Sequence, residues 1–315
     1  MTEPEPSSER LHPRILVALA CVYLIWSSTY YAIRIVVQEA PPFGSAALRY
    51  LLAGVLLMTL ARLRGLPWPS RRQWRDTALL GTLLFGVGNG FVSYASQELG
   101  SGIVAIVCAT MPLAGAALSP LFGMRPSPRE LVGLGLGFVA VALLASGGDL
   151  SAASPLALLL LFVAPPGWAL GSLLVRRLDV GPPMMASAAQ MIGGGLVLLT
   201  VAATRGERWP EAVSTEAIVM FVHMIVSGSL VGFLAYQYLL VHARPALAMS
   251  YAYVNPVLAV LLGTVFGGEP ISARAVGALV LISAAVFVTV SKKAPPAPRP
   301  LDGPAPAQSR SVRPS

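Results

Sequence analysis

Residues 110–133 read TMPLAGAALSPLFGMRPSPRELVG, and residues 254–277 read VNPVLAVLLGTVFGGEPISARAVG. Aligned without gaps, the two stretches place proline on proline and glycine on glycine at matching positions. The pairs are Pro112 with Pro256, Gly123 with Gly267, Pro126 with Pro270 and Gly133 with Gly277. Further pairs follow in the same order at nearly the same offset, beginning with Trp26 and Trp168. Ordered matches along both halves indicate that the chain is a duplication.

The composition excludes a soluble globular protein. Hydrophobic residues make up 55% of the 315 residues and charged residues only 11%, with a mean hydropathy of +0.71. Soluble domains carry about 25% charged residues. Apolar stretches near the ~20 residues that cross a bilayer recur throughout. The sequence therefore predicts an all-α polytopic membrane protein with ten transmembrane helices, at about 14–37, 43–61, 77–97, 99–122, 130–147, 155–175, 183–204, 216–239, 246–266 and 273–291.

The distribution of basic residues predicts how these spans are oriented. With the N-terminus in the cytoplasm, most Lys and Arg residues fall in inner loops and tails, and only Arg205, Arg208 and Arg274 fall outside. By the positive-inside rule both termini are cytoplasmic. The net charge of +8 then reflects membrane orientation, and we expect no nucleic-acid partner. Because five spans is an odd number, the second half enters from the opposite side, which makes the two five-helix repeats inverted.

The chain divides into two repeats and two tails. The predicted parts are a cytoplasmic N-terminal tail at 1–13, the first repeat at 14–147, the second repeat at 155–291 and a Pro-rich cytoplasmic tail at 292–315. The C-terminal tail lacks a periodic apolar pattern, so we expect it to be disordered. Cys21 and Cys108 lie in spans and indicate neither a disulfide nor a metal site.

Polar and aromatic residues within the spans are the candidate substrate-binding residues, because such groups usually face the bundle interior or a cavity. In the first span Trp26, Tyr30 and Arg34 recur every four residues and so share one helical face. Arg34 either extends to the membrane interface or holds an anionic group. The matching face of the second half contains Trp168.

The second and third spans add a charge and two polar side chains. Arg49 either meets a substrate carboxylate or pairs with a helix end or carbonyl, and both readings stay open. Its counterpart in the second half is Gln190, which is polar but uncharged. Asn89 and Ser93 share a face of the third span, where they either bind a ligand or hydrogen-bond a neighbouring helix.

The two matched prolines predict helix breaks near mid-membrane. Pro112 and Pro256 each leave the carbonyl four residues earlier without its helical partner. A freed carbonyl can accept a bond from an ammonium group or water, and the alternative is a packing kink. The stretch before Pro256 is the most polar mid-span stretch of the second half. Its Tyr251 and Asn255 share a face and are the strongest candidates for a binding wall.

No acidic residue lies at a predicted membrane midplane, since all 14 fall in tails, loops or span ends. Proton-driven transporters often carry an acid there as the relay. The remaining candidates for proton coupling are His223 in the eighth span and Glu98 at the outer end of the third. A lone histidine in a helix is more often structural, so proton coupling and facilitated diffusion both stay open.

Motifs for catalysis are missing from the sequence. It contains no P-loop, HExxH, dinucleotide fingerprint or triad-like set, so we predict no catalytic residue, no metal and no cofactor. A membrane-embedded enzyme would need acids or histidines near one interface. Glu98, Asp149 and Glu216 are instead scattered over different predicted outer loops.

Several motifs are similar to those of a known family. They are WSSTYYAIR (26–34), PPFGSAALRYLLAG (41–54), GVGNG (86–90), SGIVAIVCATMPL (101–113) and PALAMSYAYVNPVLAVLLGTVFGGE (245–269). They resemble the drug/metabolite transporter superfamily, and within it the EamA family, most of all its YedA-type members. The resemblance covers about residues 14–291. It implies ten helices in two inverted five-helix repeats, a bacterial inner-membrane location and export of small metabolites.

Together these features predict a secondary transporter that exports a small metabolite, such as an amino acid or drug-like compound, by alternating access. A passive channel or facilitator for small solutes is the alternative. The expected partners are a small-molecule substrate and the lipid bilayer, while protons as coupling ion and a homodimer stay open. The predicted substrate-binding residues are Trp26, Tyr30, Arg49, Asn89, Ser93, Trp168, Tyr251 and Asn255.

Overall fold

The computed structural model of the protein describes residues 12–146, 150–151, 153–243 and 250–290. The tails predicted at 1–13 and 292–315 lie outside these residues, except for the last two positions of the N-terminal tail. Residues 244–249, which include part of the predicted connection between the eighth and ninth spans and the start of the ninth, also lie outside them.

The described residues form helices that we number α1 to α10 in chain order. The π-helical stretches are counted with the helix they continue and the 3-10 stretch Ser119–Phe122 with α4, while the 3-10 turn Val175–Arg177 follows α6 and is counted separately. They are α1 Pro13–Glu39, α2 Pro42–Leu63, α3 Arg71–Ala95, α4 Ser101–Phe122, α5 Pro128–Ala145, α6 Pro155–Leu174, α7 Pro183–Thr204, α8 215–242, α9 Tyr251–Gly267 and α10 Ala273–Val290. Eight of them, α1 to α8, are long and apolar enough to cross a membrane. The apolar parts of α9 and α10 are shorter. An all-helical protein with several membrane-length helices agrees with the sequence, while ten spans and inverted repeats stay predictions.

Local sequence signals set the helix ends in the same way in both halves. α2 and α7 each begin at the second proline of a Pro-Pro pair, Pro42 and Pro183. Proline suits a first turn because its missing N–H has no helical partner there. Both helices are followed by a glycine with positive φ, Gly65 at 79° and Gly206 at 65°, which is a backbone conformation that other residues rarely adopt.

The helices pack in a pattern that relates the two halves. α2 packs on α7, α4 on α9 and α5 on α10. α1 packs on α8 and α9, and α6 packs on α3 and α4. Matching α1–α5 with α6–α10 leaves the first three of these contacts unchanged. The same matching converts the two contacts of α1 into the two contacts of α6. The contacts named here are therefore symmetric between α1–α5 and α6–α10.

α3 and α7 approach each other closely at two glycines. A Cβ atom built on Gly81 would lie 2.0 Å from the backbone oxygen of Gln190, and one on Gly194 would lie 2.4 Å from the oxygen of Gly81. The two backbones are therefore in direct contact, as small residues permit in membrane bundles.

α3 and α8 each contain a π-helical stretch at matching positions. The stretches are Thr82–Gly90 and Met224–Val231. Their first residues are 142 positions apart, the offset that also separates Trp26 from Trp168. π-Helical turns are rare and occur frequently at functional sites, and both halves carry one at equivalent sequence positions.

The two prolines expected to break helices differ in the structure. α4 consists of two helical pieces, Ser101–Cys108 and Met111–Leu118, and Pro112 lies in the first turn of the second piece. Pro256 instead lies inside α9, which continues without interruption from Tyr251 to Gly267. The expected break at Pro256 is therefore not seen. A proline removes one backbone hydrogen bond, and packing against neighbouring helices compensates that loss in a membrane helix.

Candidate functional site

A cavity lies between the two halves beside the π-helical stretches. The empty space in it and at its mouth, open solvent included, amounts to about 960 Å³. α1 to α4 line it from the first half and α6 to α9 from the second. Both units therefore contribute walls to a single internal space, which is the usual setting of a small-molecule site between helices.

The cavity brings together seven of the eight predicted substrate-binding residues. Those that line it are Trp26, Tyr30, Arg49, Asn89, Trp168, Tyr251 and Asn255. Ser93 does not line it; its side chain is buried in α3 and its hydroxyl donates to the backbone oxygen of Asn89 at 3.0 Å. Pro256 lines the cavity as well, while Pro112 does not.

Arg49 is a buried cation with few partners. Its side chain is only 7% exposed. Its Nε donates to Ser229 Oγ at 3.1 Å, and Nη1 lies 3.6 Å from Met224 Sδ. The guanidinium carbon also lies 4.9 Å from the centre of the Tyr50 ring. Among the described residues no carboxylate forms a salt bridge with it. A buried charge with so little compensation is costly unless a counter-ion arrives.

Aromatic rings form much of the remaining surface around the cavity. Trp26 meets Tyr251 edge-on at 5.0 Å between ring centres, and Tyr236 lies 5.1 Å from Trp26 and 5.5 Å from Tyr251. On the other side Phe85 meets Trp168 edge-on at 6.1 Å. Trp26 is oriented by its indole nitrogen, which donates to the backbone oxygen of a glycine in α8 at 3.2 Å. Such a surface suits a flat apolar group or a cation.

The two asparagines at the cavity differ in hydrogen bonding. The side-chain nitrogen of Asn89 donates to the backbone oxygen of Leu84 at 3.2 Å, within the π-helical stretch. Asn255 is 6% exposed, and its side-chain oxygen has no hydrogen-bond partner among the residues that the structure describes. Buried polar atoms are nearly always paired. The unpaired oxygen of Asn255 therefore offers an acceptor for a bound molecule with an N–H or O–H group.

The two coupling candidates lie outside the cavity lining. His223 Nε2 and Ser28 Oγ are 2.9 Å apart, which joins α8 to α1. Glu98 binds the start of α6: it accepts from the backbone N–H of Ser154 and, at 2.8 Å, from the Ser154 hydroxyl. Both carboxylate oxygens of Glu98 are thus engaged at a helix N-terminus.

Sequence reasoning missed several residues that complete the site. Ser229 is the side-chain hydrogen-bond partner of Arg49, and Tyr50, Phe85 and Phe233 also line the cavity. A signal for Ser229 exists, because Ser227-Gly228-Ser229 lies at the offset of the glycine-rich stretch of α3. Among the described residues no group of three or more His, Cys, Asp or Glu could hold a metal ion.

Comparison with known proteins gives consistent matches. The EamA-like transporter family model matches residues 13–146 and 155–291. The inner membrane transporter YedA of Escherichia coli (strain K12) is 42% identical over 277 residues, which cover 87% of this chain and 90% of that protein. Protein PecM of Dickeya dadantii (strain 3937) is 27% identical over 269 residues, or 84% and 88% of the two chains. A protein crystal structure with 20% identity superposes with a TM-score of 0.61 over 87% of this chain and 95% of its own, which shows a shared fold.

Proposed function

Because the chain belongs to the EamA-like transporter family, we propose that it is a secondary transporter that exports a small metabolite by alternating access. The matched family is one of transporters and the Escherichia coli relative is named an inner membrane transporter, so the chain is a membrane transporter and not an enzyme. We place it in the cytoplasmic membrane of a bacterium, like its Escherichia coli relative, with both termini in the cytoplasm, where the basic loops belong.

The proposed architecture is ten spans in two inverted five-helix repeats. The reciprocal packing of the helices and the matched π-helical stretches support it. α9 has 17 residues and α10 has 18. At 1.5 Å per residue each reaches about 26 Å, close to the ~30 Å of a hydrocarbon core. Two inverted units with a shared cavity supply the parts that alternating access needs, because rocking one unit against the other opens either end.

The buried charge of Arg49 is the observation that supports a substrate class. It favours a substrate with one anionic group, because a carboxylate would supply the counter-charge that the described residues lack. The unpaired oxygen of Asn255 would take an N–H of the same molecule. The aromatic surface around Trp26 and Tyr251 would hold its apolar part. An amino acid, or a drug-like compound with similar groups, meets all three requirements.

The proposal is tested in two stages. A metabolite comparison of culture media from cells with and without the gene identifies the exported compound. Purified protein in proteoliposomes should then show saturable uptake and counterflow of that compound. A passive channel, the alternative, shows no counterflow, so its absence would overturn the carrier mechanism.

Site variants then test the substrate class. Arg49→Gln should lower transport efficiency about a hundredfold, because it removes the buried cation that binds the anionic group. Arg34→Gln is the matched control: Arg34 lies on α1, outside the cavity lining, and donates to the backbone oxygen of Ser96 at 2.6 Å. Asn255→Ala should raise KM about tenfold. If Arg49→Gln transports as well as Arg34→Gln, the proposed anion contact is wrong.

A further inference from the structure

Four glutamates gather at one end of the bundle, which we name the carboxylate end. They are Glu39 at the end of α1, Glu98 after α3, Glu207 after α7 and Glu269 after α9. Hydrogen bonds from Arg34 to the Ser96 oxygen and from Gln38 to the Gln97 oxygen join the ends of α1 and α3 there.

Two of these glutamates in the first half bind helix starts in the second half. Glu39 accepts from the backbone N–H of Ser214 at 2.6 Å and from its hydroxyl at 2.7 Å, at the start of α8. Glu98 binds Ser154 at the start of α6 in the same manner, through the backbone N–H and the hydroxyl.

The other two bind in the reverse direction, from the second half to the first. Glu207 accepts from the backbone N–H of Gly44 at 2.8 Å, in the first turn of α2. Glu269 accepts from the backbone N–H groups of Ser101 and Gly102 at 2.9 and 3.2 Å, and from the Ser101 hydroxyl at 3.0 Å, at the start of α4.

Each of these four contacts therefore crosses between the halves, and together they hold the starts of α2, α4, α6 and α8. A carboxylate at a helix N-terminus satisfies free N–H groups and complements the helix dipole. Hydrogen bonds to an ionised acceptor are about twice as strong as neutral ones. Arg205 adds a further crossing contact, because its guanidinium carbon lies 5.2 Å from the centre of the Tyr94 ring.

The opposite end is built differently. The positions that match the four glutamates by the offset of the duplication are Gly181, Leu240, Leu66 and Arg125, none of which is acidic. Two helix starts at that end use capping boxes within their own helix, Ser70 with Gln73 in α3 and Ser127 with Glu130 in α5.

Crossing contacts at the opposite end are present but fewer among the described residues. Asp179 accepts from the Gln73 side chain at 3.0 Å, and its backbone N–H donates to Asp76 at 3.2 Å. Arg177 donates to the backbone oxygen of Phe122 at 2.7 Å. One buried carboxylate, Asp76, therefore takes a backbone N–H from the other half at this end, against four carboxylates at the carboxylate end.

We propose that Glu39, Glu98, Glu207 and Glu269 form a gate that closes the substrate path at the carboxylate end. The inference rests on the proposed alternating access between inverted repeats. Rocking the halves to open this end breaks all four contacts, and the matching residues at the opposite end cannot form replacements. The resting protein therefore stays closed at the carboxylate end and open to the other side. With the proposed orientation, the gate faces outward and the resting cavity faces the cytoplasm.

The test measures from which side of the membrane a thiol reagent reaches a cysteine in the cavity. Met111 lines the cavity and is partly exposed, so Met111→Cys in a Cys21→Ser, Cys108→Ser background provides a single thiol. A membrane-impermeant maleimide is applied to intact cells and, separately, to inside-out vesicles. In the parent we expect fast labelling from the cytoplasmic side and slow labelling from outside.

Gate variants should reverse this preference. Glu39→Gln together with Glu269→Gln should speed outside labelling about tenfold and slow labelling from inside, since neutral amides bind helix starts more weakly. Gly100→Ala offers a second route, because its new Cβ would lie 2.9 Å from Glu269 Oε2 and displace it with its charge intact. Glu211→Gln is the matched control, a glutamate in the same connection as Glu207 with no hydrogen bond to another helix in the described structure.

The outcomes separate the gate from the transport mechanism. If the parent is labelled equally from both sides, the gate proposal fails, because alternating access by itself exposes the cavity to each side in turn; only the absence of counterflow in proteoliposomes would overturn the transport mechanism. If the parent is labelled from one side only and the gate variants match Glu211→Gln, the gate proposal fails and the transport mechanism stands. A parent labelled faster from outside would also overturn the gate. Variants that merely unfold would gain labelling from both sides, which the inside-out vesicles reveal.

Discussion

Two helix crossings that the duplication makes equivalent have different chemistry. α3 crosses α7 in one place and α8 crosses α2 in the other. At the first, Gly81 brings the backbones of α3 and α7 into contact. Its counterpart at the second crossing is His223, 142 positions later. The smaller residue closes the first crossing completely, whereas the second leaves room for side chains between its helices.

We call the crossing of α2 and α8 the open crossing and that of α3 and α7 the closed crossing. The charged residue of the candidate site lies at the open crossing. Arg49 of α2 reaches Ser229 of α8 across it. The matching residues at the closed crossing are Gln190 and Val87, and Gln190 is buried with its backbone against Gly81. Among the described residues, the two crossings therefore differ in chemistry as well as in packing, because only the one between α2 and α8 holds a buried arginine.

Filling the closed crossing should have the largest effect. Gly81→Ala would place a methyl group 2.0 Å from the Gln190 oxygen, and the backbones must separate, at a cost of about 3 kcal/mol of folding free energy. Thermal unfolding in detergent measures the loss. Gly86→Ala, also in α3, is the control, since its nearest contact would be 3.7 Å from Val197. Equal stability of the two variants would contradict the direct backbone contact.

Removing the partner of Arg49 should have an intermediate effect. Ser229→Ala leaves the Arg49 Nε without its hydrogen bond, so the guanidinium loses its orientation and KM should rise about fivefold. Uptake kinetics in proteoliposomes provide the measurement. Ser227→Ala, two residues earlier in the same π-helical stretch, should change KM little because Ser227 does not line the cavity. A larger effect from Ser227 than from Ser229 would argue against the open crossing as the binding region.

The smallest structural change tests proton coupling at the open crossing. His223→Gln keeps a hydrogen-bonding group near Ser28 and removes the titratable ring, with Arg49 as its charged neighbour. If His223 carries the coupling proton, uptake driven by a pH gradient should stop while counterflow without a gradient continues. A variant that keeps its full response to the gradient would exclude His223, and Glu98→Gln would then be examined in the same assay.

Which residues line the cavity could be predicted from the sequence, but the hydrogen bonds that they form could not. Seven of the eight predicted substrate-binding residues line the cavity, because polar and aromatic side chains within membrane helices face interior space. Ser93 follows the same pattern but satisfies its hydroxyl within its own helix. Pro256 matches Pro112 in sequence, yet the helix continues through it. The local sequence pattern predicts that a side chain faces the interior of the bundle, whereas its hydrogen-bond partners depend on which other helix lies beside it.

The sequence by itself determined the all-helical membrane class and the family. Each of these depends on composition, periodicity or residues within one turn of each other, so the physics is local. Only the tertiary structure decided which groups meet across the halves: Arg49 with Ser229, 180 positions apart, and Glu98 with Ser154, 56 apart. Within the described part of the chain, it also left the Asn255 oxygen without a hydrogen-bond partner. Such pairings arise from the packing of whole helices, and no local pattern records them.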